Sequence, residues 1–507
     1  MLDISLFAAY AVDWSVLFTI HFVDFLRCPM PETPADNAAA AAKNPQQPPL
    51  APRSGEENVL PKASQRNRLD FEITGRSLVK YAFPTLLSNI FMNVYGLVDS
   101  LFISNIVGTD GLSALNIVWP LFMITMAVAI MVSTGGSALV AKYLGMHQDE
   151  KAKQTFTFLT LFSFAVSAVL CLLGFLFRSP LLRLMGADDL LLPLCLDYAN
   201  VLFWILPAAM VGMLLQVFFV VAGRPNLGFG LSIAGGILNM VLDYLLIAVL
   251  RMGMTGAALA TGTGYLVQSV SGVIYFAVNR KGSLYFVRTR WDGSALRKSL
   301  SNGMSEMVIN LALSIVTMAM NIILMRLVGS DGVAAATIVI TMQTILSATY
   351  MGYNQGCSPV ISYNYGKGDT GRLKRIFSVM LKTIGLLSIL SCILCVLLAR
   401  PVALIYARDS ENVVSMAVTG TYVFAPAFLL MGFNMYGSAL FTALNDGVTS
   451  AIISLFRTFV FLMVPLLVLP PFLGVMGVWL SMPLAEVFSI LLVVYFFRKK
   501  KDIYHYA

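Results

Sequence analysis

The sequence predicts an all-α membrane protein of twelve transmembrane helices, built as two pseudo-symmetric six-helix lobes. Three observations carry that reading. Hydrophobic residues make up 58% of the 507 and charged residues only 12%, against ~25% charged in a soluble protein, so most of the exterior has to face lipid. Long apolar runs, twelve in all, follow one another from Gly75 onward with short polar breaks between them. The last six runs repeat the first six at an offset of about 220 residues.

The runs lie near 78–106, 112–141, 154–178, 192–222, 227–250, 254–279, 296–327, 332–362, 375–399, 413–443, 448–470 and 474–497. Each holds the ~20 residues that a helix needs to cross ~30 Å of hydrocarbon. None shows the ten-residue alternation of a membrane barrel. Ahead of them, residues 1–70 read as a disordered or interfacial tail. Met1 to Cys28 is apolar but broken by Asp3, Asp13, His21 and Asp24, and lacks the basic start of a signal peptide. Pro29 to about Asn67 is rich in Pro, Ala, Gln and Asn, a composition that cannot bury enough apolar surface to order itself. Residues 71–290 then form the N-lobe with spans one to six, and 291–507 the C-lobe with spans seven to twelve.

The net charge of +8 does not indicate a nucleic-acid partner, because Lys and Arg sit between apolar runs and not in a patch with interleaved aromatics. They crowd onto alternate breaks: Lys142, Lys151 and Lys153, then Arg224, then Arg280 to Lys298, then Lys367 to Arg375, and finally Arg498 to Lys501. The intervening breaks hold fewer, among them Arg178, Arg183, Arg251, Arg400 and Arg408. By the positive-inside rule both termini are expected in the cytoplasm of a multi-pass cell-membrane protein, a bacterial inner membrane being the expected setting. Cys171, Cys195, Cys357, Cys392 and Cys395 lie in or beside apolar stretches and read as small packing hydrophobes.

The repeat keeps a fixed register. Val107-Gly-Thr-Asp-Gly111 returns as Val328-Gly-Ser-Asp-Gly332, Gly135 meets Gly356, Gly145 meets Gly366, and Gly253-Met-Thr-Gly256 meets Gly474-Val-Met-Gly477. Six crossings return a chain to its starting side, so the two halves share one orientation. Parallel repeats of this kind suit a transporter with a binding cavity at the midplane between the lobes.

Ionisable groups at bilayer depth mark function, since each costs about 2.5–3.5 kcal/mol to insert. Asp99 lies deep in the first span and Asp243 in the fifth, where Asn239 precedes it by four residues and so shares its helix face. Thr261 adds a hydroxyl from the sixth span. Two carboxylates, an amide and a hydroxyl in one lobe suit a hard monovalent cation or an exchangeable proton. The second half does not repeat the set: Asp99 aligns with Met320, Asn239 with Val460, Asp243 with Val464 and Thr261 with Met482. Candidate substrate contacts are Tyr95 in the first span, Glu306 and Asn310 in the seventh, and Asn354 and Gln355 in the eighth. Arg457 and Glu486, in spans eleven and twelve, are candidates to pair. Pro84, Pro120, Pro207, Pro359, Pro426 and Pro465 fall inside spans, where a lost backbone bond kinks a helix.

These residues resemble the multidrug and toxic compound extrusion (MATE) family, within it the MepA-like branch, over about 75–500. The resemblance rests on Gly96-Leu-Val-Asp-Ser100, the Val107 and Gly256-Ala-Ala-Leu-Ala-Thr261 segments, Gly135-Gly-Ser-Ala138 with Tyr143-Leu-Gly145, Gln355-Gly-Cys-Ser-Pro359, Ser362-Tyr-Asn-Tyr-Gly366 and Leu469-Pro-Pro-Phe-Leu-Gly474. It implies export of amphipathic, often cationic, compounds in exchange for H⁺ or Na⁺ by rocker-switch alternating access. It also implies that Asp99, Asn239, Asp243 and Thr261 form the cation site, the set already chosen from the residues. No cofactor is expected beyond the coupling ion, and a monomer in the bilayer is expected. A lipid-linked oligosaccharide flippase of the same superfamily is the alternative, and it would need a basic central cavity; mid-span bases are confined to Lys382 and Arg457. An enzyme reading finds no support, with His21, His147 and His505 in the tail, a loop and the terminus. No phosphate-binding loop indicates ATP.

Overall fold

The computed structural model describes residues 68–407 and 410–507; the expectations for residues 1–67 lie outside them. The described chain is helical throughout, without strands. Its spans are α1 (Gly75–Phe102), α2 (Thr109–Gly145), α3 (Asp149–Leu176), α4 (Leu192–Val221), α5 (Pro225–Leu242), α6 (Gly253–Val278), α7 (Gly293–Val328), α8 (Ser330–Lys367) and α9 (Thr370–Ala407). Then come α10 (Glu411–Phe424 and Phe428–Ala443), α11 (Gly447–Leu455 and Phe461–Val468) and α12 (Val475–Tyr504). Ten of these are long and apolar enough to cross a membrane by composition, and α1 and α6 are not among the ten. Both are polar for spans, with Asn89, Asn93 and Asp99 in one and Thr261, Gln268 and a run of glycines in the other.

Helix ends follow local chemistry. Asp292 caps α7 by accepting from the Ala295 amide at 2.9 Å, and Asp446 caps α11 through the Thr449 amide at 3.2 Å. Several helices overrun the apolar runs: α2 has 37 residues, which at 1.5 Å per residue is about 55 Å long, so its polar ends stand clear of the hydrocarbon. Pro84, Pro120, Pro207, Pro359 and Pro465 lie inside helices as expected, whereas Pro426 sits in a 3₁₀ turn, Ala425–Ala427, that breaks α10 in two. Three π turns widen spans: Ile103–Val107 after α1, Asp243–Val249 after α5, and Phe456–Val460 within α11.

The duplication is visible in the backbone. Left-handed residues recur at a spacing of 221: Gly108 (φ +99°) with Gly329 (+77°), and Gly253 (+56°) with Gly474 (+58°). Only glycine adopts such angles without cost, so the sequence match at these pairs has a conformational cause.

Three apolar cores organise the body. One belongs wholly to the first half, running from Ile103 through Tyr198 to Ala258. Another belongs wholly to the second, from Val316 through Tyr350 to Met482. The third mixes both halves and lies at the end that carries the basic loops, with Leu69, Leu144, Phe156, Tyr363, Leu444 and Tyr506. The lobes are thus joined at the basic end and cored separately away from it. Leu69 is fully buried there and Asp70 pairs with Arg372 and with Lys367 at 3.1 Å, so the membrane body starts ahead of the expected residue 71.

The joint is made by backbone against backbone. A Cβ on Gly145 would stand 2.0 Å from the Tyr363 carbonyl, and one on Gly366 2.2 Å from the Lys142 carbonyl. Gly135 and Gly303 are equally tight, against Ser299 and Met131 carbonyls at 1.9 Å. Gly352 and Gly356 press on Leu86 and Ala82 of α1. Outside, the apolar side chains face outward, Leu176, Trp204, Leu386, Leu397 and Ile405 being 64–79% exposed, as a lipid-facing surface requires.

Candidate cation site and inter-lobe cleft

Four helices of the first lobe converge on one polar cluster. In α5, Asn239 and Asp243 are one turn apart and 1% and 0% exposed. The helix opens into its π turn at Asp243 itself; π turns commonly accompany functional sites because they re-aim a side chain. α6 approaches α5 closely because both faces are glycine: a Cβ on Gly235 would lie 2.8 Å from the Gly264 carbonyl. That approach sets Gly264 against Asn239, with Thr261, 5% exposed, one turn before it on the same helix. Asp99 of α1, 7% exposed, completes the expected four, its carboxyl within interaction range of the Asp243 carboxyl.

The cluster also holds Tyr198 of α4, fully buried, whose hydroxyl faces Thr261 and both carboxyls. Tyr265 of α6 sits against Tyr95, beside Asp99. Neither Tyr198 nor Tyr265 was legible in the sequence: Tyr198, near a span end, reads as an interfacial anchor, and Tyr265, at mid-span, reads as an ordinary packing aromatic. Tyr95, expected among substrate contacts, belongs with this cluster by position.

The cluster is unsatisfied. Asp99 Oδ1, both Asp243 carboxyl oxygens, both polar atoms of the Asn239 amide, Thr261 Oγ1 and the Tyr198 hydroxyl are buried without a hydrogen-bond partner in the protein. Buried polar groups are paired in the great majority of cases, and an unpaired one costs ~1–3 kcal/mol. Several gathered around one point form a set that one small cation or proton can satisfy together. The donor set is all oxygen and amide, which suits a hard cation or a proton.

The corresponding positions of the second lobe are apolar: Met320 and Met482 are buried, and Val464 faces outward at 55%. That lobe instead contains an ion pair. Arg457 Nη2 donates to Glu486 Oε1 at 2.8 Å, and Asn434 Nδ2 donates to Glu486 Oε2 at 2.7 Å.

Of the remaining candidates, Gln355 lies where the lobes meet. Asn89 Nδ2 of α1 donates to Gln355 Oε1 of α8 at 3.1 Å, a bond across the lobes. Asn310 Nδ2 donates to the Glu306 carbonyl at 2.8 Å, one turn beyond Gly303 and its contact with α2. The Glu306 carboxyl is half-buried and makes no ion pair among the described residues. Asn354 is buried with both amide atoms unpartnered.

Comparison with known proteins agrees with this architecture. The MatE family signature matches twice, over residues 84–245 and 307–468, once in each lobe. The multidrug export protein MepA of Staphylococcus aureus is 22% identical over 429 residues, covering 84% of this chain and 94% of that protein. A FAD transporter of Shewanella oneidensis is 28% identical over 428 residues, covering 81% and 92%. Among solved structures, the outward-facing conformation of a multidrug resistance MATE family transporter superposes with a TM-score of 0.82 at 21% identity, covering 88% of this chain and all of that one. A second, described as a MOP superfamily transporter from Pyrococcus furiosus with reversed polarity of its binding pocket, gives 0.81 at 21%. With the family signature covering most of both lobes, the chain belongs to the MatE family of membrane transporters.

Proposed function

We propose that the protein is a secondary active multidrug efflux antiporter, exporting amphipathic, often cationic, compounds in exchange for H⁺ or Na⁺. The observation that carries this is the cluster of unpartnered oxygen and amide atoms on α1, α4, α5 and α6 of one lobe, whose α1, α5 and α6 positions hold apolar side chains in the other.

The coupling runs through α1. Near its middle, Ala82, Leu86 and Asn89 form the seam with α8; further along, Asp99 faces Asp243. An ion or proton at the site supplies the partner that the two carboxyls lack, drawing the far part of α1 toward α5. Loss of the ion releases it. The same rigid element therefore senses occupancy and contributes to the closed joint, with Pro84 in the seam as a ready point of bending. For exchange to occur, ion and substrate must weaken each other's binding by the same factor.

Substrate charge follows from what is left free. Glu306 is an acid without an ion-pair partner, whereas the mid-span base Arg457 is neutralised by Glu486 and Lys382 is exposed on its helix. This supports a cationic substrate and weighs against a flippase that must hold a pyrophosphate. The FAD transporter relative gives a second reading, export of a nucleotide-like anion. The protein acts as a monomer in the cell membrane with its basic face in the cytoplasm, so that the joined end seen here is the closed cytoplasmic end.

The test is ethidium efflux from vesicles with proton and sodium gradients collapsed separately. Efflux should fail when one of the two gradients is removed and persist without the other. Efflux indifferent to both sinks the proposal, and competition by FAD with no effect of ethidium selects the second reading.

A further inference from the structure

The ion pair of the second lobe occupies the crevice that corresponds to the flank of the cation site. At the repeat spacing of 221, Arg457 corresponds to Gly236, Glu486 to Tyr265, and Asn434 to Met213. Gly236 has no room for a side chain, since a Cβ there would meet the Phe91 ring at 2.5 Å and the Tyr95 ring at 3.4 Å. The counterparts of those two aromatics are Ala312 and Val316. Volume has been exchanged between matching positions: two large rings and a glycine in one lobe, two small aliphatics and an arginine in the other. The π turn Phe456–Val460 that carries Arg457 packs on α7 and α12, as the corresponding stretch of α5 packs on α1 and α6.

Charge has been exchanged with it. Arg457 Nε reaches both Glu486 carboxyl oxygens at 3.2 Å in addition to the 2.8 Å bond from Nη2, and Asn434 also donates to the Glu486 carbonyl at 2.9 Å. Glu486 is 6% exposed and Asn434 fully buried. Of this trio only Asn434 Oδ1 is left without a partner. The guanidinium thus occupies the face of the carboxylate where a free cation would bind.

We infer that Arg457 is a built-in cation: the second lobe carries a carboxylate site of its own at Glu486, permanently filled by a tethered guanidinium, and is thereby excluded from ion coupling. Glu486 is a latent cation-binding carboxylate. The inference rests on the reading of the first lobe given above. Removing the guanidinium should expose the site, whereas removing both charges should silence it, because a buried pair replaced as a unit leaves no stranded charge.

The experiment is the coupling ratio, cations moved per substrate, from reversal potentials in proteoliposomes of the full chain. Arg457→Gln should raise the ratio by one cation, and Arg457→Gln/Glu486→Gln should return it to the wild-type value. A single variant with an unchanged ratio, or a double variant whose ratio falls below wild type, overturns the inference. The double variant alone decides if the single one does not fold. Asp243→Asn is run beside them: a wild-type protein that moves no coupled cation overturns both readings, while wild-type coupling lost in Asp243→Asn but unmoved at Arg457 overturns this one only.

Discussion

The two lobes share a backbone and differ in how one buried carboxylate cluster in each is satisfied. In the first, five residues on four helices converge and leave seven polar atoms without partners. In the second, Arg457, Glu486 and Asn434 meet in a related crevice and leave one. A satisfied network is rigid and inert, while an unsatisfied one waits for a ligand. Duplication supplied two equal scaffolds, and on the reading proposed here side-chain choice made one of them responsive to a cation and the other its fixed partner.

The largest expected effect comes from breaking the responsive lobe. Asp99→Asn and Asp243→Asn should each reduce energised ethidium efflux to the passive leak while keeping wild-type expression and thermal stability, as read in vesicles and by melting of purified protein. Wild-type efflux in both variants would remove the functional difference between the lobes.

Where the lobes are alike, substitutions at repeat mates should do equal harm. Gly145→Val and Gly366→Val each place a side chain 2.0–2.2 Å from a carbonyl of the other lobe, so the joint cannot close in either. Both should abolish cycling and leave the basic end open to a membrane-impermeant thiol reagent at an introduced cysteine. Gly230→Ala, where nothing lies within 4 Å, should transport normally. Unequal effects at the two seam glycines would show that the joint is not symmetric in function.

Glu306 sharpens the comparison at substrate level. Its mate is Thr85, so this acid belongs to one lobe only. A charge-assisted contact is worth about 1.5–3 kcal/mol, so Glu306→Gln should raise KM for a monocationic dye roughly tenfold or more and leave neutral substrates unaffected. Equal losses for both would assign Glu306 a structural role.

The smallest effect concerns the loop before α1. Burial raises the Asp70 carboxyl, but hydrogen bonds and charge from Arg372 and Lys367 outweigh that and hold it below the usual carboxylate range. Its folded-state value is depressed, so its stabilisation is present above the unfolded value of 3.8 and is lost as pH falls through the lower folded one. Asp70→Asn should therefore lower the melting temperature slightly at neutral pH and make no difference in strong acid. Its mate Trp291 is 75% exposed, and Trp291→Ala should show no such pH dependence.

Much of this was legible before any coordinates. The twelve runs, the repeat and the four polar residues follow from rules that act along the chain: hydrocarbon thickness, insertion cost and helix periodicity. Tyr198 and Tyr265 were not, since what places a tyrosine at an ion site and not at the interface is the packing of α4 and α6 in three dimensions. The Arg457–Glu486 pair was visible as two candidate partners in adjacent spans; that they meet depends on how α11 packs on α12, with Asn434 of α10 holding the carboxyl. The closed joint was likewise hidden, because Gly145 and Gly366 read as repeat markers until their contacts across the lobes are known.

The central claim, that cation binding resides in one lobe, is tested most directly by counting. Purified protein in nanodiscs, titrated with Na⁺ and with acid, should bind about one coupling cation per chain, in line with a single site. That binding should vanish in Asp99→Asn/Asp243→Asn and survive in Arg457→Gln/Glu486→Gln. Undiminished binding in the first double variant would contradict the account.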